Sequence, residues 1–372
     1  MWQERVNNFV TNKSNSNIPI VLISSGGTKV SIEKNEVRTL ENFSTGFRGA
    51  KSAEYFLESG YRCIFLYRKG HNNYFPYTFT LKTQLSLEID GEFLLSLDFE
   101  NIDEEVKNQI IKDQQSLRLA INSNIFLSIG FDTVDDYLMK LERISKILNH
   151  VKENSLIYLA AAVSDFYIPS ELMSVHKIQS RLQNIEDHEN DHRDVRAICT
   201  KNNDGGLWQP IFHPVKKVLG DLATRWAPQA YVLSFKLETD NNILINKANM
   251  ALMKYQVNGV ICNLLNTRRD HVKILANNNH YNNHDHDIDD NVEIINIYRS
   301  NEEIFIEKEL VRTIKNMHVR YMEYHSSSYT FHHHLDNDID NNRELTWAGT
   351  GSGRLAGILC VLYMTPIFFY LK

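Results

Sequence analysis

The sequence predicts an α/β protein: a Rossmann-like, doubly wound, mostly parallel sheet with helices on both faces and an inserted cap or dimerisation element. Three observations predict it. Short apolar runs rich in β-branched residues recur at 18–24 (IPIVLIS), 61–67 (YRCIFLY), 156–163 (LIYLAAAV), 230–235 (AYVLSF) and 258–263 (NGVICN). The first run ends in paired glycines, and helical spacing fills intervals between the runs. Such runs mark strands buried on both faces, and their alternation with helices specifies a parallel sheet.

In chain order, the strand at 18–24 enters a turn at Gly26 and Gly27. The stretch 49–59 then spaces Ala50, Ala53, Phe56 and Leu57 among polar residues before Gly60, which reads as a helix with a glycine stop. The run at 61–67 closes a βαβ unit. Between 100 and 149, Val134, Tyr137, Leu138, Leu141 and Ile144 carry helical spacing after a β-rich interval at 78–99. This stretch is expected to supply the inserted or covering element. Strands at 156–163, 230–235 and 258–263, with a helix at 242–255, complete the sheet. The domain is expected over 18–324, preceded by an extension at 1–17 and followed by a tail at 325–372. Two stretches, about 184–206 and 277–291, are rich in Asn, Asp and His and hold too little apolar surface to offset their ordering entropy, so they read as loops.

Composition narrows the function classes. A formal net charge of -6 offers no reason to expect nucleic acid as partner, although a local basic pocket can still hold phosphate. Cys63, Cys199, Cys262 and Cys360 lie too far apart for a zinc or redox motif and read as free thiols, which with the unapolar N-terminus points to a cytoplasmic protein. The apolar stretch 355–371, between Arg354 and Lys372 and interrupted by Pro366, sits at the short limit of a membrane span; a membrane anchor and a buried terminal segment both remain open. His280, His284, His286 and His332 to His334 could ligate a metal, but biased composition is weak ground and no metal site is assigned.

The chemistry-bearing residues cluster at strand ends. In SSGGTKV, Gly26 and Gly27 follow the first strand, where an α/β sheet places its ligand crevice, although paired glycines also make ordinary turns. In VRTLENFSTGFRG, Asn42, Ser44 and Thr45 supply polar groups, Gly46 and Gly49 open the backbone, and Arg38 and Arg48 add charge just before a helix whose free N–H groups suit an anion. Neither a phosphate-loop motif nor a dinucleotide fingerprint is present. Tyr67, Arg68 and Lys69 stand where a nicotinamide-dependent reductase would carry its ribose-reading acid.

SSGGTKV, VRTLENFSTGFRGAKSAEYFLESGY, YLAAAVSDFYIP, HKIQS and SFKLETD, in this order, resemble the phosphopantothenoylcysteine synthetases (phosphopantothenate:cysteine ligases) of the eukaryotic monofunctional type. The resemblance covers roughly 18–317 apart from the polar insertions. It implies a Rossmann-like homodimer of coenzyme A biosynthesis that joins 4'-phosphopantothenate to L-cysteine. ATP, or CTP, with Mg2+ would activate the carboxylate as an acyl-nucleotidyl intermediate and release pyrophosphate. Carried over residue by residue, the resemblance makes Asn42 a substrate-loop and catalytic residue and Lys177 the active-site lysine. Arg38, Ala161 and Ala162 would contact substrate. Gly26, Gly27, Ser44, Gly46, Gly49, Asp165, Phe235, Lys236, Lys247 and Asn263 would lie on the nucleotide side. Asp165 also reads as a helix cap and Phe235 as a core aromatic. The segment HPVKKVL matches its counterpart loosely, and a catalytically silent relative of the same fold is the alternative.

Overall fold

The computed structural model describes residues 1–70, 73–80, 103–178, 211–277 and 292–343, with side chains described through 326. The chain divides into two compact units, Met1–His325 and Ser326–Lys372. The sheet and its core belong to the first; in the second, the described backbone is helical as far as Arg343.

Strand β1 (Ile20–Ser25) is buried along its whole length and pairs in parallel with β4 (Arg62–Arg68) on one side and β6 (Ser155–Leu159) on the other. Outward from β4 lies β5 (Phe126–Phe131), and outward from β6 lie β9 (Tyr231–Glu238) and β10 (Gly259–Leu264), all parallel. Numbered by appearance, these six strands stand in the order 3-2-1-4-5-6 of a doubly wound Rossmann sheet. Two antiparallel strands, β11 (His271–Asn277) and β12 (Val292–Tyr298), extend the edge beyond β10. Short pairs lie outside the sheet: β2 (Lys29–Ser31) with β3 (Thr39–Glu41), and β7 (Phe166–Tyr167) with β8 (His213–Pro214).

Alternation along β1 sends Ile20 and Leu22 to one face and Val21 and Ile23 to the other, so each face needs its own cover. One face packs against α1 (Trp2–Val10), α4 (Val134–Leu148) and α5 (Asn241–Tyr255). The other packs against α2 (Phe47–Glu58), α3 (Glu104–Asn122) and α6 (Glu307–Arg343). Caps set the helix starts: the Thr133 hydroxyl accepts from the Asp136 N–H, and the Asp103 carboxylate accepts from the N–H groups of Glu105 and Val106.

Several expectations need correction. The stretch 103–149, read as an inserted cover, instead builds β5 and α4 of the sheet itself. Helical spacing on either side masked a six-residue strand whose core and surface positions alternate. The edge pair β11 and β12 was not foreseen, because polar residues interrupt both strands and neither carries a long apolar run. The apolar run at 156–163 leaves the sheet after Leu159. Residues 1–17, expected as an extension, contain α1, whose Val6, Phe9 and Val10 are buried; the Arg62 guanidinium stacks 4.4 Å over the Phe9 ring and donates to the Phe9 carbonyl. The β-rich interval expected at 78–99 falls mostly, and the 184–206 insertion and the 355–371 stretch fall wholly, outside the described residues; so does 277–291 apart from Asn277. Among the described residues no helix is long and apolar enough to cross a membrane, and no group of His, Cys, Asp and Glu could hold a metal ion.

A buried histidine fastens α6 to the sheet. His318 is fully buried; Tyr61 Oη stands 2.8 Å from its Nδ1, and its Nε2 is 2.9 Å from the Glu153 carbonyl. A carbonyl can only accept, so Nε2 carries the proton and Tyr61 donates to Nδ1, leaving the ring neutral. Burial pushes its pKa down to about 4 against a weaker opposing effect of the Glu153 carbonyl. Below pH 6.5 the unfolded chain takes up a proton that the folded chain refuses, so stability present above 6.5 declines as pH falls to about 4, by roughly 3 kcal/mol. Urea unfolding across that window is expected to show this decline, and His318→Gln is expected to remove that component of it.

Candidate active-site cleft

At the carboxyl ends of the parallel strands, where the chain reverses direction between β1 and β6, a cleft of about 1360 Å³ opens. Doubly wound sheets bind ligands at this position. Its walls come from three loops that the sheet delivers to one edge.

The first is the turn after β1, laid against the start of α2. A β-carbon on Gly27 would sit 1.9 Å from the Asn42 carbonyl oxygen, and one on Gly49 would sit 2.4 Å from Ser25 Oγ. Gly46, the N-cap of α2, has φ of +71° and carries no side chain to cap the first-turn N–H groups. The glycines Gly26, Gly27, Gly46 and Gly49 therefore lie behind the wall and not in it, making room for Arg68, Asn42 and Ser25 to pack against them. What they bring forward is Asn42, Ser44, Thr45 and Arg48, which line the cleft at the open end of the helix dipole. Asn42 Nδ2 donates to the Val163 carbonyl at 3.0 Å, fixing its amide, and Gly46 N–H donates to Ser44 Oγ at 3.3 Å.

The second loop follows β6. Ala162 N–H donates to the Gly26 carbonyl and Thr28 N–H to the Ala162 carbonyl, so the alanine run continues beside the β1 turn as a strip of backbone. Ala161, Ala162 and Asp165 all line the cleft. Asp165 caps no helix; its exposed carboxylate pairs with Lys217 at 2.5 Å.

The third wall is β9 and β10. Phe235 lines the cleft half-buried, edge-on to Tyr158 at 4.9 Å, so it is a core aromatic with one face toward the ligand space. Lys236 lines the cleft and pairs with Glu238 at 3.4 Å. Asn263, 4 % exposed, lines it too, and its Oδ1 is buried with no hydrogen-bond partner. A buried acceptor left unmatched costs about 1–3 kcal/mol, which marks a place for a donor from a ligand.

Lys216, Lys217, Arg268 and Arg269 also line the cleft, with Arg48 and Lys236, against Asp165 and Glu307 as the acidic side chains among the described residues. The balance is positive and suits an anion. Arg48 is held by Glu307 at 3.0 Å and donates to the Arg268 carbonyl. Burial raises the Glu307 carboxyl above the ordinary range, the Arg48 charge opposing this.

Seven expected residues do not line the cleft: the four glycines behind its wall, and Arg38, Lys247 and Lys177. Arg38 spends its guanidinium on Glu33 and on the Ile178 carbonyl. Lys247 pairs with Glu238 at 3.0 Å. Lys177 is exposed on the loop that carries Ile178. Conversely, Arg268, Arg269 and Glu307 were not picked out. An Arg pair just past the end of a buried parallel strand was a usable signal; Glu307 gave none, since it reaches the cleft from a distant helix.

No family model matches the chain. It is 38% identical over 278 residues to the human phosphopantothenate–cysteine ligase, covering 74% of this chain and 81% of that protein. It is 40% identical over 265 residues to the phosphopantothenate–cysteine ligase Cab2 of Saccharomyces cerevisiae, covering 70% and 68%. Among solved structures, a Cab2 variant in complex with phosphopantothenate-cysteine superposes with a TM-score of 0.69 at 32% identity, over 87% of this chain and 94% of that one.

The unmatched Asn263 acceptor separates stability from binding. Asn263→Leu, close in volume but apolar, is expected to leave the thermal unfolding midpoint unchanged or raised. The same variant is expected to weaken nucleoside triphosphate binding about tenfold by calorimetric titration. A midpoint that drops while binding holds would show that the amide serves the fold instead.

Proposed function

The chain belongs to the phosphopantothenate–cysteine ligase family, and from that premise we propose that it joins 4'-phosphopantothenate to L-cysteine in coenzyme A biosynthesis, activating the carboxylate with ATP or CTP. The observation that carries the reading is the cleft itself: one basic space in which the Asn42 amide and the Ala160–Ala162 backbone face a buried, unmatched Asn263 across the strand ends.

A carboxylate is a poor electrophile at neutral pH. In the proposed first step its oxygen attacks the α-phosphorus of the triphosphate, the bond to pyrophosphate breaks, and an acyl-nucleotide forms. In the second, the cysteine amine attacks the acyl carbon, the nucleoside monophosphate leaves, and the nitrogen gives up a proton. Both steps bring anions together, so the protein's contribution is positioning and charge compensation. Arg268, Arg269, Lys216 and Lys217 suit the phosphates, with the open N-terminus of α2 behind Ser44. Asn263 and Phe235 suit the nucleoside, one by its acceptor and one by its ring face. Asn42 and the alanine strip suit the pantothenate chain. Magnesium, arriving with the triphosphate, would add charge neutralisation, and Asp165 is the exposed carboxylate of the cleft placed to reach it.

Lys177 enters this reading as the lysine of the second step, which requires it to come over the cleft. The proposal includes a homodimer, supported by exposed apolar side chains outside the cleft: Val37 and Leu40 on the segment leading into it, and Phe166 on β7.

Purified chain given 4'-phosphopantothenate, cysteine, magnesium and either nucleotide is expected to release pyrophosphate only when phosphopantothenate and nucleotide are both present. Amide should form only with cysteine. Absence of pyrophosphate with either nucleotide would remove the ligase reading and leave a binding relative. Asn42→Asp would set a carboxylate against the Val163 carbonyl and the anionic substrate, and is expected to lower kcat/KM at least about 100-fold.

A further inference from the structure

The hairpin formed by β2 and β3 holds a wholly buried carboxylate that the chemistry above does not use. Glu33 is 0% exposed, although it sits in a surface excursion of some dozen residues. Its Oε1 accepts from Arg38 Nε at 2.8 Å, from Arg38 Nη2, and from the Ile178 N–H at 3.3 Å; its Oε2 accepts from the Arg38 backbone N–H at 3.1 Å. Arg38 Nη2 in turn donates to the Ile178 carbonyl at 3.1 Å. Both backbone polar groups of Ile178 are thereby gripped, one by each member of the ion pair. A second tie lies nearby, where Lys34 N–H donates to the Ser174 carbonyl at 2.9 Å and Glu33 bridges Ser174.

Burying a carboxylate costs several kcal/mol unless its acceptors are filled, and a small hairpin could be stabilised more cheaply by an apolar side chain. Glu33 instead takes three of its hydrogen bonds from Arg38 and the fourth from the N–H of Ile178, the residue directly after Lys177. The hairpin ends at Asn42 in the cleft wall, with Asn42 N–H donating to the Thr28 carbonyl at 3.1 Å. One rigid element thus holds the substrate-side amide at its base and the backbone beside Lys177 at its tip.

We propose that Glu33, with Arg38 as its clamp partner, is a positioning residue that sets the backbone direction of Lys177 for the amide-forming step. The inference rests on the ligase reading and on Lys177 as its second-step lysine. Burial by itself raises the Glu33 carboxyl, but hydrogen bonds from Arg38 and Ile178 and the Arg38 charge outweigh it and hold the group below the ordinary carboxylate range. The clamp is therefore charged throughout the neutral range.

Rapid-quench single turnovers on the full chain separate the steps: pyrophosphate release without cysteine reports the first, and amide formation after adding cysteine reports the second. Glu33→Ala is expected to slow the second about 100-fold while the first stays within about threefold, since a displacement near 1 Å costs on that order. Glu33→Gln, which keeps an acceptor for Ile178, is expected to lose about tenfold in the second step and serves as the readout if the alanine variant fails to melt cooperatively. In a Lys177→Ala background, neither Glu33 variant should slow the second step further. Equal slowing of both steps, losses that multiply with that of Lys177→Ala, or wild-type rates in both Glu33 variants would overturn the clamp. Wild-type amide formation by Lys177→Ala alone would instead overturn the role of Lys177, a separate failure.

Discussion

The cleft depends on a steric constraint: no side chain fits between the turn after β1 and the start of α2. The Gly27 backbone touches the Asn42 carbonyl, and Gly49 touches Ser25, whose hydroxyl donates to the Gly46 carbonyl at 2.9 Å. This contact turns Asn42 and Ser44 toward the strand ends and leaves the α2 N-terminus uncapped there. The alanine strip is tied to the same turn, through Thr28 and through Ser164, whose N–H donates to Thr28 Oγ1 at 2.8 Å. Substrate-side and phosphate-side groups consequently share one rigid anchor, and their separation is set by backbone packing more than by flexible side chains.

Charge is arranged with the same economy. Arg48 and Lys217 already hold carboxylate partners within the cleft, and Lys236 holds Glu238 beside it. A cation braced in this way pays little to reorganise when phosphate arrives, which is the condition under which electrostatic stabilisation is largest. Asn263 is the opposite case. It is buried in the cleft lining with its acceptor unmet, at some expense to the free protein.

How much of this was legible in the sequence follows from what each feature requires. Strands β1, β4, β6, β9 and β10 are buried on both faces, and such strands write themselves as short apolar runs. Strand β5, and the edge pair β11 and β12 with polar residues breaking each strand, were lost among helical and polar signals. In the site, Asn42, Ser44, Ala161, Ala162, Asp165, Phe235, Lys236 and Asn263, expected from the family resemblance, line the cleft because strand ends in this topology converge on one edge. Side-chain commitments were not legible. Arg38 and Lys247 are positive residues near motif positions, and only the folded chain shows that Glu33 and Glu238 claim them. Glycine, likewise, signals that something approaches closely; whether that is ligand or the protein's own atoms is a tertiary fact, and here it is the protein itself.

The hairpin between β1 and α2 explains why the motif there is long. A phosphate-binding turn needs only a few residues between strand and helix, yet this chain inserts β2, β3 and the Glu33 loop before Asn42. Besides the buried Glu33, Lys29 pairs with Asp132 at 2.5 Å, and Arg68 bonds Glu41 at 3.1 Å. These ion pairs fasten both hairpin strands to the ends of β4 and β5, on the side of β1 away from the alanine strip. A loop needed only to deliver Asn42 would not require such bracing. One that must hold Asn42 in the wall while gripping the backbone of a distant segment would, because any give at the base would appear, amplified by its length, at the tip.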